Sequence, residues 1–177
     1  MEDTRQKLIH AFLKLAKKQP INMIKVKHVT DLADYNRCTF YQYFDDIYDL
    51  LDQIEDQILS DIKIEIEKAY ADSISYEEIV TIASASFEKY GEILTILMGP
   101  NGSPSFQKKY MNTLRPMISS IMKNKNLKFN DFIVEYAIGG FIATVNHWYH
   151  HQESMSLQEV TSLIYELTTK GIFPVKS

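Results

Sequence analysis

At 177 residues the chain suits one domain or a small head on a larger body, and it can bury about 70% of its unfolded surface without a metal or disulfide staple. Its single cysteine, Cys38, excludes an internal disulfide framework and fits a reducing compartment. Net charge is −4, yet residues 1–44 hold eight Lys/Arg against four acids and the remainder eleven against nineteen, so a +4 head precedes a −8 body, as expected when only the head meets phosphates.

The apolar pattern has helical period almost throughout, so the predicted class is all-α with about nine helices and no strand. Leu8, Ile9, Phe12, Leu13 and Ala16 form the stripe of a first helix that ends before Pro20. A second, short helix is predicted over Lys25 to Ala33, with Val26, Val29, Leu32 and Ala33 inward. Asp34-Tyr35-Asn36 makes a turn, and Asn36 suits the N-cap of a third helix through Phe44. Asp45 and Asp46 open a long fourth helix with the stripe Ile47, Leu50, Leu51, Ile54, Ile58, Ile62 and Ile66. After a break at Asp72–Ile74, Ser75 and Glu78 read as a capping box. A helix with Ile79, Ile82, Ala83, Phe87 and Tyr90 follows, then a short one over Glu92 to Met98. Gly99 to Pro104 is the clearest loop. A helix from about Ser105 to Lys123 carries Phe106, Tyr110 and Leu114, with Pro116 as a kink point. The last two are predicted over Asn130–His150 and, capped by Ser156 and Glu159, to Gly171.

Three short helices with a tight turn between the second and third fit a helix-turn-helix. The residues that form them, Leu8, Ile9, Ala11 and Phe12, then Val29-Thr30-Asp31-Leu32-Ala33, then Arg37, Thr39-Phe40-Tyr41, Tyr43-Phe44 and Leu50-Leu51, resemble the DNA-binding head of TetR-type transcriptional regulators. Glu135 to Gly140, followed by Trp148, is similar to the C-terminal region of a subgroup that includes the coactivator of dihydroxyacetone kinase genes. The resemblance implies a helix-turn-helix head over 1–46 and a ligand-binding and dimerisation bundle over 47–177. It also implies a homodimer, a palindromic double-stranded DNA operator and an unidentified small-molecule effector, with repression the commonest outcome in the family.

Beside the resemblance, the residues have their own logic. Arg37, Cys38 and Thr39 lie at the N-terminal end of the third helix, the end that usually enters the major groove. Arg37 suits guanine edges or phosphate, Thr39 and Gln42 suit base edges, and Tyr41 and Tyr43 suit phosphates. Phe40 and Phe44, four apart, face a core. Lys27 and His28 occupy family contact positions at the start of the second helix, and Asn36 completes the candidate DNA-binding set. Three departures from the family pattern stand out: Asp34 replaces the usual turn Gly, Cys38 stands where a small residue is common, and Ile47 replaces a phosphate-contacting Lys. The last favours weaker, less salt-dependent binding, and leaves open a coactivator or adaptor that works through a protein partner. Asp45 and Asp46 are expected to compete for the fourth helix's N-terminal amides.

In the body, Phe87, Tyr90, Ile93, Leu97, Tyr110, Met117, Met122 and Tyr136 are candidate lining for an apolar effector pocket, although each also suits plain core. Gly139 and Gly140 within a helix point to close approach of another helix. A two-fold four-helix dimer interface is therefore expected at Gly139, Gly140, Ala143, Trp148, Val160, Ile164 and Leu167. His147, His150 and His151 share a helix side but lack a further ligand apart from nearby Glu153, so they read as a solvated helix end. No nucleophile–base pair and no phosphate loop is present; an enzyme, a metal site and a cofactor are not expected. The polar N-terminus, with no apolar signal region behind it, and the shortness of the longest apolar run, Ala137 to Val145, point to a cytoplasmic protein with no membrane partner.

Overall fold

A computed structural model describes residues 3–70, 76–99, 102–123, 130–149, 151 and 154–170. Its elements are α1 (Thr4–Ala16), a 3-10 turn (Ile21–Met23), α2 (Val26–Ala33), α3 (Arg37–Tyr41), α4 (Ile47–Tyr70), α5 (Tyr76–Met98), α6 (Pro104–Lys123), α7 (Asn130–Tyr149) and α8 (Leu157–Lys170). The described residues are helical with no strand, in agreement with the all-α expectation. The helices fall into two compact units, Met1–Ser60 with Glu92–Gln107, and Asp61–Gly91 with Lys108–Ser177.

In the first unit α1 packs on α2 and α2 on α3. The α1 stripe is buried as the sequence predicts, with Ala11 added. In α2 the buried residues are Val29 and Thr30, whereas Leu32 is 45% exposed. Thr30 can replace an apolar residue inside because its hydroxyl donates back to the Val26 and Lys27 carbonyls, each at 3.1 Å, and so carries no unmet polar group. Asp34 ends α2 with φ 59° and ψ 44°, the left-handed conformation that the missing turn Gly demands. The α-helical part of α3 stops at Tyr41, earlier than predicted, but the Phe44 amide still bonds the Phe40 carbonyl at 3.0 Å.

Every residue of the predicted α4 stripe is buried, from Ile47 to Ile66. One helix, α5, replaces the two predicted over this stretch. Its Gly91 costs about 1 kcal/mol in a helix interior, less than full burial of even one large neighbour such as Leu94 or Leu97 returns. Gly102 is required by close approach: a Cβ there would lie 2.2 Å from the Leu97 carbonyl oxygen. With Gly in place, the Ser103 amide reaches that carbonyl at 2.8 Å and closes the α5 C-terminus. The Ser103 hydroxyl then accepts the Phe106 amide and caps α6.

The second unit has its own core, including Ile62, Phe87, Tyr110, Leu114, Ile138, Phe141 and Val145. The Phe87 and Phe141 rings meet edge to face, 6.1 Å apart. α6 runs unbroken through Pro116. α7 packs on α8, and Trp148 Nε1 donates to the Met155 carbonyl across their connection at 2.6 Å. Ser156 and Glu159 form the predicted capping box: the Ser156 amide donates to Glu159 Oε2 at 2.7 Å, and the Glu159 amide donates to Ser156 Oγ at 3.2 Å. The predicted box at Ser75 falls outside the described residues.

Candidate nucleic-acid interface

The third helix is held from both ends and from beneath. Asn36 Oδ1 accepts the Thr39 amide at 2.8 Å and the Thr39 hydroxyl at 3.1 Å, so this side chain is spent on the cap. Phe40 is fully buried and meets Phe44 at 5.3 Å, with Tyr41 edge-on at 5.6 Å. With Phe40 fixing the rotation of so short a helix, Arg37, Cys38, Tyr41 and Gln42 are exposed, while Thr39 and Tyr43 are half-buried. Tyr41 leaves 56% of its surface to solvent, a large exposure for an aromatic next to a core. Lys27 and His28 are exposed at the start of α2. His28 Nδ1 accepts the Lys25 amide at 3.3 Å, which places the neutral ring's proton on Nε2.

A brace invisible in the sequence secures the other end. Gln53, on α4, donates to the Tyr43 carbonyl at 3.3 Å and accepts from Arg5 of α1 at 2.8 Å. It also donates to Asp49, whose Oδ2 accepts the Asp45 amide at 2.8 Å. The Arg5 guanidinium lies 5.6 Å from the Phe44 ring centroid. Two helices and the turn after α3 thus meet at one amide side chain.

The start of α4 offers no phosphate clamp. Ile47 is 6% exposed and belongs to the core. Asp46 Oδ1 accepts the Tyr48 amide at 2.7 Å and the Asp49 amide at 2.9 Å, so a carboxylate already fills the positive helix end. Of the two expected competitors only Asp46 caps; Asp45 contributes its own amide to Asp49.

The candidate pocket residues belong to both units. Phe87 and Tyr110 are buried in the second unit, and Leu97 is buried in the first, where Ile93 is half-buried. Burial pushes the Tyr110 hydroxyl above its ordinary pKa. Tyr90 lines a groove of the second unit, and Tyr136 is 64% exposed on α7. Nothing is described of the Met117 and Met122 side chains.

Of the candidate dimer residues, Gly139, Gly140 and Ala143 are exposed, Trp148 and Leu167 are half-buried, and Val160 and Ile164 are already covered within the chain. A Cβ at either glycine would meet nothing within 4 Å. Phe132, 77% exposed, and Tyr136 continue the same helix face by helical spacing. The His147 and His151 rings stack 4.3 Å apart, and His150 lies outside the described residues. Among the described residues no group of three or more His, Cys, Asp or Glu could hold a metal ion, and no helix is long and apolar enough to cross a membrane.

Residues 75–170, more than half of the chain, match the TetR-type family profile described as "Transcriptional regulator C-terminal region". None of the curated proteins matches the chain in sequence. The fold is similar to that of the fatty acid degradation regulator FadR from Bacillus halodurans, with a TM-score of 0.75, 12% identity and 97% of each chain covered. FadR from Bacillus subtilis in complex with stearoyl-CoA superposes with a TM-score of 0.71 at 15% identity, over 94% of this chain and 98% of the other. The dihydroxyacetone kinase operon activator DhaS gives 0.58 at 16% identity, over 98% of each. At these identities the likeness is one of fold.

Proposed function

The chain belongs to the TetR family of transcriptional regulators, and on that premise we propose that it is a cytoplasmic, homodimeric repressor that reads a palindromic operator through α3 and releases it when a small molecule binds the body. The observation that carries this reading is the exposed row Arg37, Cys38, Tyr41 and Gln42 on a helix fixed by its buried Phe40 and its Asn36 cap. Arg37 is suited to guanine edges and Tyr41 to phosphate. Dimerisation is supported by the face of α7 on which Phe132 and Tyr136 are exposed and a Cβ at Gly139 or Gly140 would meet nothing within 4 Å. α4 belongs to both units, Ile47–Ser60 to the first and Asp61–Tyr70 to the second, and is the natural lever between effector and head. A place in the subgroup of the dihydroxyacetone kinase coactivator rests on the Glu135–Gly140 motif and Trp148.

Operator binding by Arg37→Ala and Tyr41→Ala tests the reading. Each is expected to weaken binding by about 1–3 kcal/mol, with melting temperature unchanged. Unaltered binding in both would remove α3 from the interface.

A further inference from the structure

Within the second unit, α4 and α5 enclose a groove of about 420 Å3, inside the range of about 300–1,000 Å3 usual for small-molecule sites. Ile62, Ile82 and Ala85 give it apolar walls. Ile64, which also lines it, is left 45% exposed. Its charged groups are paired among themselves and with Lys68. Asp61 Oδ2 accepts from Lys89 Nζ at 2.9 Å and, by a short bond, from the Tyr90 hydroxyl. The Lys89 ammonium also lies 4.8 Å from the Tyr90 ring centroid. Glu65, the groove's other acid, accepts from Lys68 at 2.7 Å. The Ser86 hydroxyl donates to the Ile82 carbonyl at 2.9 Å.

We propose that this groove is the effector site and that its ligand is uncharged: an apolar body with one O–H or N–H donor. The proposal rests on the reading of the chain as an effector-controlled regulator. Each formal charge lining the groove already has its counter-charge. A carboxylate ligand competes with Asp61 for Lys89, and an ammonium ligand competes with Lys89 and Tyr90 for Asp61. Either competition weakens an existing pair. A neutral ligand breaks neither pair. The Tyr90 hydroxyl donates to Asp61 and accepts from Lys89, which leaves one lone pair to receive a ligand donor. Partial burial, with the bond to Asp61, raises the Tyr90 pKa and keeps that hydroxyl protonated.

The test uses the full chain and three probes with one tail: 1-octanol, octanoate and octylammonium, followed by calorimetry. Octanol is expected to bind, with octanoate and octylammonium weaker by about ten-fold or more. Ala85→Trp, at an exposed position of α5 that lines the groove, is expected to weaken octanol by about ten-fold through occlusion. Tyr90→Phe, which keeps the ring, is expected to weaken it several-fold without altering the melting temperature. Octanoate or octylammonium binding as tightly as octanol would overturn the ligand class. Octanol binding that neither substitution changes would overturn the site. Operator release is measured separately. Octanol seated in the groove without loosening DNA contradicts effector control there, whereas release that persists in Ala85→Trp keeps effector control and removes the groove.

Discussion

Asn36 and Thr39 close the N-terminal cap of α3 with two hydrogen bonds. Asn36→Ala is expected to destabilise the protein by about 1 kcal/mol in chemical denaturation, and to weaken operator binding as well because the cap helps to hold a helix of five residues. At the opposite end of the chain, the Ser156 hydroxyl and amide hold the Glu159 carboxyl below its usual pKa. A carboxyl depressed in the folded state adds stability that is fully present above the unfolded pKa and is lost as pH falls through the folded one. Wild type is therefore expected to lose an acid-sensitive increment that is smaller in Ser156→Ala, which keeps only the amide bond, measured as melting temperature against pH from 6 down to about 3. Equal acid sensitivity in the two proteins would contradict the box. The Asn36 cap was legible because Asn directly precedes an aromatic-rich run after a turn, and the Ser156–Glu159 pair because the spacing is that of a capping box.

Elements were legible where one apolar stripe decided them. The α4 stripe keeps helical period for seven residues, and all seven are buried. Local reading failed where tertiary packing overrode it. The sequence predicts two helices, one ending near Tyr90 and one over Glu92 to Met98, but the buried residues on either side of Gly91 carry α5 straight through. In α2, Leu32 lost its inward place to Thr30, whose hydroxyl finds carbonyls of its own helix. Gln53 had no sequence signal at all, because its partners Arg5 and Tyr43 lie far off in the chain. Gln53→Leu is expected to cost about 1–2 kcal/mol of stability through the lost bonds. It is also expected to lower operator affinity in fully folded protein, whereas undiminished affinity would show that the brace has no part in positioning α3. The Ile47 departure now has a packing reason: a core position cannot also carry the phosphate-reaching Lys. The slope of log affinity against log salt is expected to be shallower by about 0.9 per missing phosphate contact.

For the whole molecule, periodicity marked α7 and α8 as interacting helices but not with whom. Val160 and Ile164 turn out to face their own chain, while Phe132, Tyr136, Gly139 and Gly140 face outward. Sequence alone cannot separate these cases, because an apolar stripe looks the same against its own core and against a partner. The same gap explains why the candidate pocket residues divide between two units. A Cβ at Gly140 meets nothing within 4 Å, so Gly140→Leu is expected to leave helix content intact and to shift the dimer toward monomer in sedimentation. A variant as dimeric as wild type would place the interface elsewhere.

The central claim, a two-fold regulator reading DNA through α3, is tested most directly by selecting bound duplexes from a random pool with the intact protein. The expected result is an enriched palindrome whose half-site centres lie about 34–36 Å apart, or a multiple of that spacing, and whose enrichment is lost with Arg37→Ala. A pool that stays unenriched at low salt, or an enriched sequence that Arg37→Ala and Tyr41→Ala both still select, would contradict it.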